Sequence, residues 1–265
     1  MTQITMSDDT LPLPQLAADT PSDLAADPDP PLQPTIAGVG VIGRLRGKVA
    51  LVSGGDSGMG HAAAIAFARD GADVAILYLD GHEAAQETMR AIVEAGGETM
   101  AVTGDIGISR FCDDAVDEVI SRFGRIDILV NAAAESHPRP DFARITDAAI
   151  ERIFRTNILG QFFLTRAALP HLRRGATIVN TSSLTAMTGD ATRIDDAATR
   201  GAVISFTRSL ALALAPDGIR ANAIAPAPNC PPEAAGAAYV FLASDASRPM
   251  TGQVLHPDGG MIVAA

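Results

Sequence analysis

Residues Val49 to Gly60, V-A-L-V-S-G-G-D-S-G-M-G, restrict what this chain can fold into more than any other stretch. The apolar run Val49 to Val52 stops at Ser53-Gly54-Gly55, and a small-residue helical pattern from Ala62 to Ala68 begins after Gly60. That order spells strand, tight turn, helix. Such a turn aims backbone N–H groups and the positive end of a helix dipole at one point, which suits a phosphate or pyrophosphate. Gly54 allows the tight turn, Gly58 lets the backbone approach a ligand with no Cβ in the way, and Gly60 lets the helix pack close to the sheet. An ordinary βα turn is the bland alternative. Its place just after a buried strand, opening a βαβ unit, favours dinucleotide binding.

From Lys48 onward, short apolar runs alternate with longer helical segments. Strands are expected at 49–52, 74–79, 99–102, 126–130, 177–180, 219–223 and 253–255, and helices at 59–70, 82–95, 108–123, 147–169, 195–214 and 233–243. Near-continuous apolar strands separated by helices imply an α/β fold: a Rossmann-type doubly wound parallel sheet with helices on both faces, in a single domain over 44–265. Ligands of such sheets sit beyond the carboxyl ends of the strands, where Ser53-Gly54, Asp105, Asn131, Ser183 and Pro226 gather. Residues 1–43 differ, with seven prolines, six aspartates and no Lys, Arg or Glu. Such a stretch buries too little apolar area to offset its ordering entropy. It reads as a solvated tail, or as an arm along a neighbouring subunit anchored by Leu11, Leu13, Leu16, Leu24, Leu32 and Ile36.

At 265 residues and 47% hydrophobic content, the chain supports one substantial core. A formal net charge of -11 argues against nucleic acid and anionic membrane as partners, since both require basic patches. A small molecule is unaffected by that argument. Cys112 and Cys230 make neither a disulfide framework nor a metal-ligand spacing, and read as packing residues in a reducing compartment. No metal is expected. With no signal-peptide pattern and no apolar stretch of spanning length, the expectation is a soluble, cytoplasmic protein.

From Lys48 to the C terminus these residues resemble the short-chain dehydrogenase/reductase family. S-G-G-D-S-G-M-G is similar to that family's T-G-x-x-x-G-x-G loop, with Ser53 in the threonine place. The resemblance implies a cofactor cradle of Ser53, Gly54, Asp56, Ser57, Gly58, Met59 and Gly60. It places Asp105 and its neighbour Ile106 at the adenine, and Asn131 and Ala132 in N-A-A-A where the family has N-N-A-G. Asn157, in R-T-N-I-L-G, matches the helix asparagine whose backbone helps hold a proton-relay water. Ser183, in I-V-N-T-S-S, matches the catalytic serine, and Pro226, in I-R-A-N-A-I-A-P, lies at the cofactor. NAD or NADP is the implied cofactor, and a homodimer or homotetramer the implied assembly. The 195–214 helix, whose apolar face is read as Ala198, Ala202, Ile204, Phe206 and Leu210, would pair subunits there, although that face could equally be core.

Two departures alter the chemistry. The family's tyrosine stands thirteen positions after the serine and its lysine four further on, and those places hold Asp196 and Arg200. Tyr78 and Tyr239, the only tyrosines, fall where neither can substitute. Carbonyl reduction needs a proton donor beside the developing alkoxide, and an aspartate next to an arginine is an acceptor at neutral pH. Arginine cannot shuttle the proton. Ordinary ketone reduction is therefore expected to be crippled. Equally, Asp195 or Asp196 can be a helix N-cap. The second departure follows Pro226, where a helical lid is replaced by Ala227-Pro228-Asn229-Cys230-Pro231-Pro232, leaving the site open or covered by another element such as the tail.

Asp80, just past the second strand, can bond a ribose hydroxyl and repel a 2′-phosphate, favouring NAD. It stands two residues past the usual acidic position, and His61 and His82 nearby could accommodate NADP. His137, in the loop after N-A-A-A, lies at the rim of the expected site, either touching a ligand or merely solvated. Three functions follow. In the first, the site serves non-redox proton transfer (elimination, cyclisation or isomerisation): Ser183 bonds a substrate oxygen, Asp196 is the base and Arg200 stabilises negative charge. In the second the chain is an inactive binding or scaffold subunit. In the third it is a residual NAD(P)-dependent oxidoreductase.

Overall fold

The computed structural model describes residues 43–227 and 230–261, so the expectations for the tail fall outside the described residues, Gly43 excepted. Seven strands form one sheet: β1 (Val49–Ser53), β2 (Asp73–Tyr78), β3 (Thr99–Thr103), β4 (Ile128–Asn131), β5 (Thr177–Thr181), β6 (Arg220–Ile224) and β7 (Val254–Leu255). Their order is β3-β2-β1-β4-β5-β6-β7, and every pairing is parallel. Eight α-helices accompany them among the described residues: α1 (Gly58–Arg69), α2 (His82–Glu94), α3 (Ser109–Phe123), α4 (Asp147–Phe154), α5 (Gly160–Ala168), α6 (Thr185–Thr188), α7 (Ile194–Leu214) and α8 (Pro232–Ala243). The α/β class, the doubly wound sheet and all seven strands are as the sequence pattern implies.

Strand side chains alternate between faces with period two, and each face has its own core. Ala50, Val52, Ile128 and Val130 pack against Phe67 of α1, Ile92 of α2 and Tyr239 of α8. Leu51 and Leu129, pointing the other way, pack against Val116 of α3, Leu164 of α5 and Leu214 of α7. Both faces being covered explains why β1 and β5 are buried at every residue. Burial pushes the Cys112 thiol up to about 12, which keeps it an inert packing residue. No helix among the described residues is long and apolar enough to cross a membrane.

Three helical expectations are corrected. The helix expected over 147–169 is divided by a π turn, Arg155–Leu159. Helix α7 begins at Ile194 with Arg193 at the N-cap, so neither Asp195 nor Asp196 caps it. Its buried face is also different: Asp196, Thr199, Val203, Thr207, Ala211 and Leu214 follow the i, i+3, i+4 spacing of a core stripe. Of the expected apolar face only Ile204 is buried, while Phe206 stacks on the half-exposed Phe162 with centroids 4.1 Å apart. An apolar set chosen by residue type alone missed that Thr and Asp carry the inward side.

Strand order reverses between β1 and β4, opening a crevice at their carboxyl ends. At the opposite edge, Asp70 ends α1 and takes two hydrogen bonds from the Arg44 guanidinium, each 3.0 Å, and one from the Arg44 amide at 3.1 Å. The Arg44 hydrogen bonds, followed by its charge, hold the Asp70 carboxyl below the usual carboxylate range against the opposing effect of burial. Because the folded carboxyl titrates below its unfolded value, the stability it confers is complete above the ordinary carboxylate pKa of about 3.9 and is lost as pH falls through the lower folded value. In urea unfolding, Asp70→Asn is therefore expected to cost about 1 kcal/mol at pH 7, with the difference from wild type disappearing in strong acid.

Candidate active site

A cleft of about 890 Å³ crosses the carboxyl edge of the sheet from Tyr78, Leu79 and Asp80 after β2, past Gly54 and Ala132, to Ser182, Ser183, Pro226 and Ala227 beyond β5 and β6. Its floor is made by the turn that dominates the sequence. Gly54 takes φ +67° and approaches β4 so closely that a Cβ would lie 2.8 Å from the Ala133 Cα. At Gly58, with φ +53°, a Cβ would meet nothing within 4 Å, which is the open space a ligand needs. Gly60 has a different role from the one expected. A Cβ there would lie 2.1 Å from the Gly54 carbonyl oxygen, so this glycine lets α1 seat on its own loop rather than on the sheet. The first amide of α1 to bond back is that of His61, to the Ser57 carbonyl at 3.1 Å. The amides before it remain available to an anion.

Of the residues expected to hold a cofactor, Gly54, Asp56, Ser57, Gly58, Met59, Asp80, Asp105, Ile106, Ala132 and Pro226 line the cleft. Asp105 accepts a hydrogen bond from the Gly107 amide at 2.7 Å. Ser53, Gly60 and Asn131 do not line it. Ser53 is fully buried; its hydroxyl donates to the Val130 carbonyl at 3.3 Å and accepts from the Ala132 and Ala133 amides at 3.1 and 3.3 Å. It clasps β1 to the chain leaving β4. Asn131, also fully buried, donates to Thr165 Oγ1 at 3.0 Å and to Asn180 Oδ1 at 2.8 Å, tying β4 to α5 and β5. Both act on the shape of the cleft from beneath it.

Ser183 and Arg200 line the cleft, whereas Asp196 and Asn157 lie behind its wall. The Asp196 side chain is only 7% exposed and is fully engaged. Arg200 Nε donates to Oδ1 at 2.9 Å, Ser136 Oγ to Oδ2 at 2.9 Å, and Asn157 Nδ2 to Oδ1 at 3.4 Å. That corrects the expectation of Asp196 as a base facing substrate: its lone pairs point into a satisfied network. Asn157, inside the π turn, accepts from the Glu135 amide at 2.7 Å and donates to the Glu135 carbonyl at 3.0 Å, so its side chain fixes the loop after β4. Such widened turns recur at functional sites. Asp195, the neighbour of Asp196, is held by Arg139 at 2.5 Å.

Several lining residues escaped the sequence reading: Glu135 and Ser136 from the loop after β4, Arg152 and Arg155 from α4 and the π turn, and Thr156. The spacing of the two arginines, i and i+3, was the available signal, since it puts both on one helix face. Arg152 pairs with Glu135 Oε2 at 2.8 Å, and Thr156 donates to Oε1 at 2.7 Å. Burial opposes ionisation of Glu135, yet the hydrogen bonds from Thr156, Arg152 and His137 hold its carboxyl below the usual range. Neither tyrosine is a proton donor in the lost tyrosine's place. Tyr78 Oη pairs with His82 Nδ1 at 2.9 Å near β2, and burial drives the Tyr239 phenol, bonded to Thr181 Oγ1 at 2.5 Å, well above its ordinary range.

A family model described as short chain dehydrogenase matches residues 48–232. An uncharacterised oxidoreductase of Bacillus subtilis, YhdF, is 45% identical over 84% of this chain and 86% of its own length. A chloroplastic protein of Arabidopsis thaliana named NADPH-dependent aldehyde reductase 1 is 44% identical over 84% of this chain and 88% of its own. The crystal structure of a short chain dehydrogenase from Burkholderia cenocepacia in complex with NADP superposes with a TM-score of 0.78 at 31% identity, covering 82% of this chain and 98% of that one. The cradle itself can be broken by one methyl group. Gly60→Ala, which must displace the Gly54 carbonyl, is expected to cost about 1–3 kcal/mol in thermal or urea unfolding and to abolish dinucleotide binding in a fluorescence titration.

Proposed function

Because the chain belongs to the short-chain dehydrogenase family, we propose that it binds a nicotinamide adenine dinucleotide across the cleft and carries out carbonyl–alcohol redox chemistry weakly, without the family's tyrosine and lysine. The observation that carries this reading is the continuity of one cleft from the glycine loop to Ser183 and Arg200. The amides opening α1 would hold the pyrophosphate, Asp80 a ribose hydroxyl and Asp105 the adenine. Arg200 spends Nε on Asp196 and Nη1 on the Thr181 carbonyl at 3.3 Å, which leaves further guanidinium donors for the second ribose. The chemistry such a group supplies when bound is hydride to a carbonyl carbon, with the dinucleotide oxidised and the former carbonyl oxygen left needing one proton. Ser183 would bond that oxygen. Asp196, engaged by three donors behind the cleft wall, is not placed to protonate that oxygen, so weak turnover is the expectation.

NAD is the proposed partner over NADP. Asp56 and Asp80 both line the β2 end of the cleft, and the lining arginines, 152, 155 and 200, all come from α4, the π turn and α7. A 2′-phosphate would meet carboxylates there, whereas a ribose diol offers them two donors. His61 Nδ1 is engaged with Thr88 Oγ1 at 2.7 Å and His82 Nδ1 with Tyr78, which weakens their case as phosphate ligands. The non-redox reading, with Asp196 as base, has less support because that carboxylate is buried and engaged. A homodimer or homotetramer belongs to the same proposal, supported by the half-exposed Phe162–Phe206 stack, as does a cytoplasmic setting, supported by two unpaired cysteines.

Titration followed by the fluorescence of each reduced nucleotide is expected to show NADH binding at least about tenfold tighter than NADPH, the equivalent of about 1.4 kcal/mol. Asp80→Asn should narrow that ratio. Failure of both nucleotides to bind removes the reading altogether. The paired substitution Asp196→Tyr with Arg200→Lys is expected to raise aldehyde reduction by about 100-fold, the lower range for a restored general acid. Nucleotide binding with no turnover in either form would favour the scaffold function instead.

A further inference from the structure

Loss of the tyrosine leaves the former carbonyl oxygen without an obvious proton source, and the loop after β4 brings one histidine to the cleft. Imidazole is the side chain that gives and takes protons near neutral pH. His137 lines the cleft, and its side chain is 51% exposed. Its Nε2 lies 3.2 Å from Glu135 Oε2. Glu135 is itself fixed, 17% exposed and braced by Thr156 and Arg152, so the carboxylate orients the ring rather than following it. The adjoining Ser136 donates to Asp196 Oδ2, and Asp196 holds Arg200, which ties this loop to the catalytic end of the cleft. Arg139, two residues on, is anchored to Asp195 of α7 and donates its amide to the Thr192 carbonyl at 2.6 Å. The loop is therefore pinned on both sides of His137.

We infer that His137, oriented by Glu135, is the proton donor for carbonyl reduction in this chain, in place of the absent phenol. This deepens the dinucleotide-dependent redox reading and rests on it. As the carbonyl carbon is reduced, the N–H bond of the imidazolium breaks, its electron pair stays on the ring nitrogen, and an O–H bond forms on the former carbonyl oxygen. The neutral ring regains its proton from water. In the direction of alcohol oxidation the neutral ring takes the proton. Charges at this end of the cleft are Glu135 from the same loop, Arg152 and Arg155 from α4 and the π turn, the Arg200–Asp196 pair from α7, and the Arg139–Asp195 pair beside it. The carboxylate of Glu135 is the anion in direct contact with the ring.

The test uses the full chain, NADH and a short aldehyde such as butanal. Reduction by wild type is expected to decline as pH rises through the titration of an imidazole. His137→Gln should bind NADH unchanged, lose about 100-fold in kcat and lose that alkaline decline. His137→Gly should regain part of its activity when imidazole is added to the buffer, which a merely structural role would not allow. Glu135→Gln removes the anion and frees Arg152, so the decline moves to lower pH. Without any nucleotide, the ring C–H resonances of His137 in proton NMR should titrate at the same midpoint and shift the same way in Glu135→Gln. NADH binding with kcat and pH profile unchanged in His137→Gln overturns the assignment, as does an NMR midpoint that fails to follow the kinetic one. Loss of NADH binding by wild type overturns the underlying reading instead.

Discussion

The site depends on the gap between β1 and β4, where successive connections turn to opposite faces of the sheet. Two parallel strands whose crossovers diverge cannot have their carboxyl ends covered by either helix, so a crevice follows from connectivity alone. The gap must still be held to a fixed width. Ser53 does this with one buried hydroxyl that reaches the Val130 carbonyl and the Ala132 and Ala133 amides. Gly54, the next residue, exploits the resulting closeness with a backbone conformation that a side chain would disfavour. The cradle is thus built by the same contacts that join the two halves of the sheet.

At the other end of the cleft, a buried carboxylate must be paired or it costs several kcal/mol. Asp196 and Arg200 stand one helical turn apart on α7 and satisfy that requirement mutually, with Ser136 and Asn157 completing the shell. Neither residue is intelligible singly. Aspartate without the arginine would be a stranded charge, and the arginine fork, held by Asp196 and the Thr181 carbonyl, gains a fixed orientation that a lysine would lack. The pair keeps the end of α7 docked to the loop after β4.

The fold was legible because the central strands are buried on both faces and glycines mark many of the turns between elements, so periodicity and turn chemistry agree. Much of the cleft was legible too, since loops following known strands must converge at one edge. What escaped the sequence has physical reasons. Ser53 and Asn131 sit in ligand-loop motifs but point into the sheet, and strand ends alone do not tell which way a side chain turns. The inward face of α7 is carried by Asp196, Thr199 and Thr207, residues that hydropathy assigns to solvent and that hydrogen bonding makes core. Glu135, Arg152 and Thr156 come from two segments whose proximity only the fold creates.

The π turn at Arg155–Leu159 acts as a phase shifter within what would otherwise be one helix. Before it, Arg152 faces the cleft; after it, Leu164 and Ala168 face the sheet core. An extra residue in a helix rotates everything beyond it by about 100°, so the two faces are kept in register by the widened turn between them. A single insertion or deletion there would put either the cleft arginine or the core leucine on the wrong side. The length of this segment is therefore what keeps the cleft arginine and the core leucine on their own sides.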